Sequence, residues 1–152
     1  MAKKVGKDGK VTIGSDTVVG MGTWNMPGIT TEEFPVDAFG DNWKTFLYGM
    51  KDGGTITFNG WLDPADTTGQ NVLLACNVKN SALNNLQFWV DSASYFVPNQ
   101  TTGYFGPGAN STGMGTPGLC TVNITEYSVG MDKSGVGTIS FTARVNGCMA
   151  FV

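Results

Sequence analysis

The sequence predicts an α+β domain that is mainly β, with a sheet that is sandwiched or closed into a barrel and one helix on its flank. Several segments alternate apolar and polar residues with period two, whereas one segment has helical spacing. Glycine, the strongest breaker of regular structure, occurs 22 times in 152 residues. No internal repeat or Pro/Ser-rich linker divides the chain, so residues 1–152 are expected to form a single domain.

The two clearest strands are predicted near the end of the chain. From Val136 to Val145, apolar residues alternate with hydroxyl residues and one arginine. Thr121 to Met131 also alternates, but its phase shifts as a β-bulge near Glu126 would cause. The intervening Asp132-Lys133-Ser134-Gly135 has turn chemistry, so the two strands are expected to form an antiparallel hairpin.

Four earlier strands are expected from the same alternation. They span Thr17 to Met26, Ile29 to Val36, Thr55 to Leu62 and Leu86 to Asp91. Pro27-Gly28 separates the first two as a tight turn.

One helix is predicted to run from about Gly69 to Ala82, with Thr67 and Thr68 placed to cap its first turn. Helical spacing gives it an apolar face of Leu74, Ala75, Val78 and Ala82, and a polar face of Gln70, Asn77 and Asn80. The preceding Asp63-Pro64-Ala65-Asp66 is interpreted as the turn into the helix, with Asp66 near the positive helix end, rather than as a cation site.

Two long stretches, Asp37 to Gly53 and Pro98 to Gly118, are expected to be irregular. The first concentrates large apolar residues between glycines: Phe39, Trp43, Phe46, Leu47, Tyr48 and Met50. A monomer has little reason to keep so much apolar surface in a loop, so this pattern is typical of a surface that another molecule covers.

The charge composition points the same way and excludes several functions. Only 14% of residues are charged, well under the roughly 25% of a typical globular domain. Much of the surface is therefore expected to be covered by neighbours, although composition alone leaves open a monomer rich in β-turns. A net charge of -3 with a single arginine disfavours stable nucleic-acid binding.

No catalytic residue, cofactor-binding residue or metal ligand is predicted. The chain has no histidine, which removes the commonest general base. Cys76, Cys120 and Cys148 are widely spaced and fit buried thiols better than disulfides or a zinc site. The G-x-G-x-x-G match at 113–118 precedes no predicted helix and is interpreted as chance. Glu32 and Glu33 are adjacent in a strand, so they should point to opposite faces.

The N-terminal segment from Met1 to Gly14 is basic, with lysines but no apolar run. It fits neither a secretory signal nor a membrane span, so a soluble protein made in a reducing cytoplasm is expected. The segment is predicted to be a flexible arm that orders on assembly.

Two motifs resemble tail tube proteins of long-tailed, siphovirus-type bacteriophages. Glu33-Phe34-Pro35-Val36 is followed by DNWKTFLYGMKDGGTI at Asp41 to Ile56. Thr68-Gly69-Gln70 at the start of the helix is also similar. The specific part of the resemblance covers residues 32 to 74, and from about Trp24 to the end the order of elements matches.

The resemblance implies a β-sandwich or barrel-like tail tube fold and a structural, non-enzymatic virion protein without cofactors. Such proteins form hexameric rings whose strands join across subunits into one β-barrel, and the rings stack into a hollow tube through which DNA passes during ejection. The implied partners are other copies, a tape-measure protein and tail-terminator or tip proteins, with DNA only transiently in the lumen and no membrane span. The implied location is the virion tail, after assembly in the host cytoplasm.

The long loop of such proteins reaches neighbouring subunits or rings. The resemblance assigns that role here to Phe39, Trp43, Phe46, Leu47, Tyr48 and Met50.

Two alternative functions remain open at the level of sequence. One is a related ring-forming component of a contractile tail or secretion system, which would use similar physics. The other is a ligand-binding β-barrel in which Trp61, Trp89 and Tyr95 line a pocket for a sugar or another small molecule.

Overall fold

The computed structural model describes residues 6–99 and 120–152. The glycine motif at 113–118 and all but the first two residues of the predicted irregular stretch from Pro98 to Gly118 lie outside this range.

The described residues contain twelve strands, one α-helix and one 3-10 turn, the last at Gly6–Asp8. The strands are β1 (Lys10–Ile13), β2 (Asp16–Thr17), β3 (Met21–Asn25), β4 (Thr30–Pro35), β5 (Phe46–Asp52), β6 (Thr55–Trp61), β7 (Ala82–Leu83), β8 (Leu86–Trp89), β9 (Tyr95–Pro98), β10 (Thr121–Gly130), β11 (Thr138–Asn146) and β12 (Met149–Phe151). The helix α1 is Gln70–Lys79.

The strands form three antiparallel sheets. The first sheet has the order β12-β9-β8-β1-β2, the second β3-β6-β11-β10-β7, and β4 and β5 form a separate two-stranded sheet. Aromatic rings join the first two sheets: Phe58 of β6 lies 5.3 Å from Phe88 of β8, and Trp24 of β3 lies 6.1 Å from Phe96 of β9. The core therefore lies between two five-stranded sheets, and the predicted α+β, mainly β class is confirmed.

The β10–β11 hairpin is the centre of the second sheet and confirms the sequence prediction. Its register runs from Thr121 opposite Asn146 to Gly130 opposite Thr138, with an irregularity between Ile124 and Glu126 where the bulge was predicted. Alternate residues of β11 are buried, as period-two patterning requires. Phe141 of this strand stacks on Phe58 at 5.2 Å between ring centroids.

The N-terminal part of the chain departs from the prediction in two places. Lys10–Ile13 pairs with β8 and buries Val11, so these four residues of the predicted arm belong to the sheet. Residues 1–5 of the predicted arm lie outside the described range. The strand predicted from Thr17 to Met26 is two strands, because Gly20 between them has φ 80°, which bends the chain out of the extended conformation.

The helix begins with a different cap from the one predicted. Gly69 is the N-cap residue, and no side-chain cap from Thr67 or Thr68 forms. Instead, the carboxylate of the buried Asp66 accepts the N–H groups of Gly69 at 3.1 Å and Gln70 at 3.0 Å. The interpretation of Asp66 as the favourable charge at the helix start is confirmed, and its Oδ2 also accepts the Val19 N–H at 2.9 Å.

The buried face of α1 was predicted correctly only at Leu74, which is partly buried against the core. Gln70, Leu73 and Cys76 are buried, whereas Val78 is exposed and Ala82 belongs to β7. Gln70 is tolerated in the core because its Nε2 donates to the carbonyls of Val19 and Trp61, at 2.7 Å each. Apolar spacing could not reveal a glutamine that is buried to satisfy main-chain carbonyls.

Candidate functional site

The segment that carries the six predicted interface residues forms the β4–β5 hairpin, residues 30–52. The stretch from Asp37 to Gly53 was predicted to be irregular, but Phe46–Asp52 is a strand that pairs with Thr30–Pro35. The prediction failed because apolar residues occupy both faces of β5, so its sequence FLYGMKD lacks the alternation of a half-buried strand.

The loop between the two strands is held by its own hydrogen bonds. Val36 N–H donates to the Thr45 carbonyl at 3.0 Å, and Thr45 N–H donates to Asp37 Oδ1 at 2.9 Å. Ala38 N–H donates to Asp41 Oδ2 at 2.7 Å. These bonds fix the backbone that presents the aromatic side chains of the loop.

All six interface candidates are exposed. Their relative exposures are 110% for Phe39, 85% for Trp43, 40% for Phe46, 61% for Leu47, 69% for Tyr48 and 77% for Met50. Ile29, Phe34 and Val36 are also exposed in the same part of the chain. The described residues have eighteen exposed large apolar side chains, and nine of them lie between positions 29 and 50. Apolar surface concentrated in this way is typical of interaction sites.

Both faces of the hairpin are apolar. Residues directly opposite in an antiparallel pair share a face. Phe34 lies opposite Leu47 on one face, and Glu33 lies opposite Tyr48 on the other, which also carries Phe46. A side chain added at Gly49 would meet both Glu32 and Phe34, which places Glu32 on the face opposite Glu33, as predicted.

The base of the hairpin is tied to the second sheet. Both carboxylate oxygens of Asp52 accept hydrogen bonds from Arg144 Nη2 at 2.7 Å, and Asp52 Oδ1 also accepts the Gly54 N–H at 2.8 Å. Val145 N–H donates to the Gly54 carbonyl at 3.0 Å. The chain's single arginine therefore orients the hairpin relative to β11.

The hydrogen bonds to the Asp52 carboxylate predict that its pKa differs from the ordinary value. The Gly54 N–H first, and Arg144 second, hold the pKa of the Asp52 carboxyl below its ordinary value. Because the folded-state pKa is depressed, the stabilisation is present above the ordinary aspartate pKa of about 3.9 and is lost as the pH falls through the lower, folded-state value. Carboxyl-detected NMR should find the Asp52 midpoint below about 3.9 in the native protein.

An Arg144→Gln variant separates the two causes. We expect its Asp52 midpoint to rise but to stay below the ordinary value, because the Gly54 N–H remains. A midpoint that does not move would contradict the role of Arg144 as the anchor.

The three aromatic residues of the ligand-pocket alternative do not line one cavity. Trp89 and Tyr95 pack together with ring centroids 4.4 Å apart. Trp61 lies on β6 of the second sheet and borders a groove of about 460 Å³. Trp89 borders an adjoining cavity of about 360 Å³, which shares Gly22 and Thr23 with that groove but not Trp61, and Tyr95 lines neither. The pocket proposed from the sequence is therefore not formed by these side chains together.

The outer face of the second sheet is a feature that the sequence analysis did not identify. Strands β3, β6, β10 and β11 carry only Glu126 and Arg144 as charged residues. Apart from the exposed Trp61, their outward positions hold mainly hydroxyl and amide groups. Some of these bond across strands: Thr23 Oγ1 donates to Asn59 Oδ1 at 2.5 Å. The hydroxyls of Ser128 and Ser140 are 2.6 Å apart. The alternation of apolar residues with hydroxyl and amide residues in β6 and β11 could have indicated this polar, nearly uncharged face.

Within residues 6–99 and 120–152, no cluster of three or more His, Cys, Asp or Glu side chains could hold a metal ion. None of the helices described is both long and apolar enough to cross a membrane.

Proteins similar to this chain are found by comparing structures and not by comparing sequences. No protein-family model matches the chain, and no curated protein matches its sequence. A chain from the tail of an empty gene transfer agent particle, refined with C6 symmetry, superposes with a TM-score of 0.68 at 14% identity, covering 99% of each chain. A chain from the virion of a native gene transfer agent particle gives a TM-score of 0.63 at 14% identity, again over 99% of each chain.

A third similar structure comes from the sheath–tube complex of an extracellular contractile injection system in its extended state. It has a TM-score of 0.53 and 14% identity, and the match covers 99% of this chain and 91% of that one. These likenesses confirm the tail-tube fold that was predicted from the sequence. The chain therefore shares its fold with chains of gene transfer agent particles and of a contractile injection system.

Proposed function

We propose that this chain is a structural protein of a phage-like virion, which self-assembles into hexameric rings that stack into a hollow tail tube. The observation that carries the proposal is the β4–β5 hairpin, which has exposed apolar side chains on both faces in a chain with a tail-tube fold. A two-stranded hairpin is marginally stable alone in water. Contact with neighbouring subunits would supply the missing apolar burial.

The hairpin has two apolar faces and therefore needs more than one partner surface. Phe34 and Leu47 on one face, and Phe46 and Tyr48 on the other, would be covered if the hairpin were inserted between two neighbours. One neighbour is the adjacent subunit of the ring and the other belongs to the next ring. Phe39, Trp43 and Met50 extend the same contact.

The second sheet has open edges at which such a ring could close. β3 forms one edge, and at the other edge β7 pairs only with Val122 and Asn123 of β10. Among the described strands, none pairs with the outer side of β10 from Glu126 to Gly130. At Ile124 the main-chain carbonyl already accepts a hydrogen bond from Asn77 Nδ2 of α1 at 3.0 Å. Pairing of β3 in one copy with this part of β10 in the next would continue the sheet around the ring.

The outer face of the second sheet is suited to the wall of a DNA channel. Its only arginine is neutralised by Asp52, and its other outward groups are mainly hydroxyls and amides. A polyanion sliding past such a surface would meet few cations that could hold it. DNA would therefore occupy the lumen only transiently.

The remaining parts of the proposal follow from the tube. The protein performs no chemistry and needs no cofactor. Its partners are other copies, a tape-measure protein and tail-terminator or tip proteins. Its location is the virion tail, after assembly in the host cytoplasm.

The similarity to an injection-system chain also favours a second candidate, a tube component of a contractile particle. A sheath subunit that binds the assembled tube would distinguish this candidate.

Electron microscopy tests the proposal directly. We expect negative-stain images of the purified protein at rising concentration to show rings or hollow tubes, and light scattering coupled to size-exclusion chromatography to give the mass of a hexamer or its multiples. A protein that stays monomeric at every concentration, also after addition of preformed tail tips, would contradict self-assembly.

A further inference from the structure

Two of the three cysteines, far apart in sequence, meet in the structure. Cys120 directly precedes β10, and Cys148 lies in the short link between β11 and β12. Their sulfur atoms are 4.0 Å apart, which places them in contact but about twice as far apart as in a disulfide bond. Cys76, in contrast, is buried on the core side of α1.

Main-chain hydrogen bonds hold the two cysteines in place. Cys148 N–H donates to Cys120 Sγ at 3.2 Å. Asn99 N–H donates to the Cys148 carbonyl at 3.0 Å, and Cys120 N–H donates to the Asn99 carbonyl at 3.1 Å. Asn99 follows β9 and Cys148 precedes β12, both strands of the first sheet, whereas Cys120 leads into the second. The sulfur atoms therefore lie at a junction between the two sheets.

The two thiols differ in their access to solvent. Cys120 is fully buried, and Cys148 is partly exposed. Burial first, and the neighbouring Cys120 second, raise the pKa of the Cys148 thiol. At neutral pH the Cys148 thiol is therefore mainly protonated. An attack on an external reagent must start from Cys148, because Cys120 is buried.

We propose that Cys120 and Cys148 are a modification site at which a disulfide bond closes and staples the two sheets together. The oxidant is a small-molecule disulfide. The Cys148 thiolate attacks one of its sulfur atoms and releases one thiol, and the Cys120 thiolate then displaces the second thiol from the mixed disulfide. Two protein thiols are oxidised, one external disulfide is reduced to two thiols, and the two thiol protons pass to the released groups.

The disulfide bond would restrict the unfolded chain as well as join the two sheets of the native protein. The residues it joins are 28 positions apart, and the loop it closes contains the whole β10–β11 hairpin. Closing a loop of this size restricts the denatured ensemble and so stabilises the folded state. The inference goes beyond tube formation and does not depend on it, since the pair lies within one protomer.

The test compares the protein after incubation with oxidised glutathione and with dithiothreitol, at pH about 8.5 where thiolates are available. We expect the thiols titrated after unfolding to fall from three to one, with a Cys120–Cys148 peptide in the digest. The oxidised form should melt roughly 5–15 °C higher than the reduced form. Both readouts use the native sequence and require no variant to fold.

Two variants complete the experiment. Cys76→Ser should lose both of its remaining thiols and show the same rise in Tm, whereas Cys148→Ser should form no internal disulfide and show no rise. The proposal is overturned if the native protein keeps its three thiols under oxidation, or if the disulfide involves Cys76 or joins two chains.

Discussion

Replacing Trp43 and Phe46 together by alanine is expected to abolish tube formation and leave the protomer folded. Trp43 is 85% exposed and Phe46 is 40% exposed, and both lie in the β4–β5 hairpin outside the core between the two large sheets. Truncation of a buried aromatic anchor at an interface costs about 2 kcal/mol or more. Two such losses weaken each subunit contact roughly a thousand-fold, and the effect is repeated around the ring.

The measurement combines electron microscopy with sedimentation at the concentration at which the native protein forms tubes. Circular dichroism and the Tm of the double variant should match those of the native monomer, which shows that only assembly is lost. Val78→Ala is the matched control, since it shortens an exposed apolar side chain on α1 outside the hairpin. Tubes of normal length and abundance from the double variant would show that the hairpin is not the interface.

The parts of the fold that the sequence predicted correctly are those whose structure is determined locally. In β11, inward Ile139, Phe141 and Ala143 alternate with outward hydroxyl residues, because one face packs on the core and the other faces outward. The bulge after Ile124 was visible as a shift in the same alternation. These signals need no knowledge of distant residues.

The wrong predictions involve contacts between distant parts of the chain. β1 was missed because its burial depends on pairing with β8, more than 70 residues away, and not on a long apolar pattern. Most of the buried face of α1 was missed because Gln70 is held by carbonyls from two other segments. A prediction from helical spacing places glutamine on the solvent-facing side, because hydrogen bonds to distant main-chain carbonyls cannot be read from the spacing.

The candidate site shows the same division. The apolar residues between Asp37 and Gly53 were singled out because their composition is unusual for a solvated loop, and they are exposed in the protomer. Their role at an interface stays a prediction. Their pairing as a strand with β4, the anchor from Arg144 to Asp52 and the approach of Cys120 to Cys148 all join distant positions. Only the structure could bring these groups together.

Replacing Gly60 by alanine is expected to destabilise the protomer by about 3 kcal/mol or more. Gly60 lies on β6 opposite Met21 of β3, and a Cβ atom added there would overlap the carbonyl oxygen of Gly20 and lie 2.6 Å from the Met21 Cα. These are backbone atoms, so a rotamer change cannot relieve the clash. The same Gly20 carbonyl accepts the Trp61 N–H at 2.9 Å, so moving it away would also break a bond of the sheet.

Gly22→Ala is the matched control for this prediction. Gly22 lies on the adjacent strand β3, where an added Cβ would only touch the Asn59 carbonyl oxygen at 4.0 Å. Urea unfolding followed by tryptophan fluorescence should show a large loss of stability for Gly60→Ala and a small change for Gly22→Ala. Equal stabilities for both variants would mean that β3 does not pack on β6 as the structure describes.

The Gly60 and Trp43/Phe46 variants also separate the two ways in which a tube can be lost. Gly60→Ala displaces β3, which carries Trp24 against Phe88 in the core and forms one open edge of the second sheet, so folding and assembly should fail together. The hairpin variant should lose assembly alone, because its side chains contribute little to the core. A hairpin variant that loses stability as much as Gly60→Ala would show that the hairpin belongs to the folding unit and is not a surface reserved for neighbours.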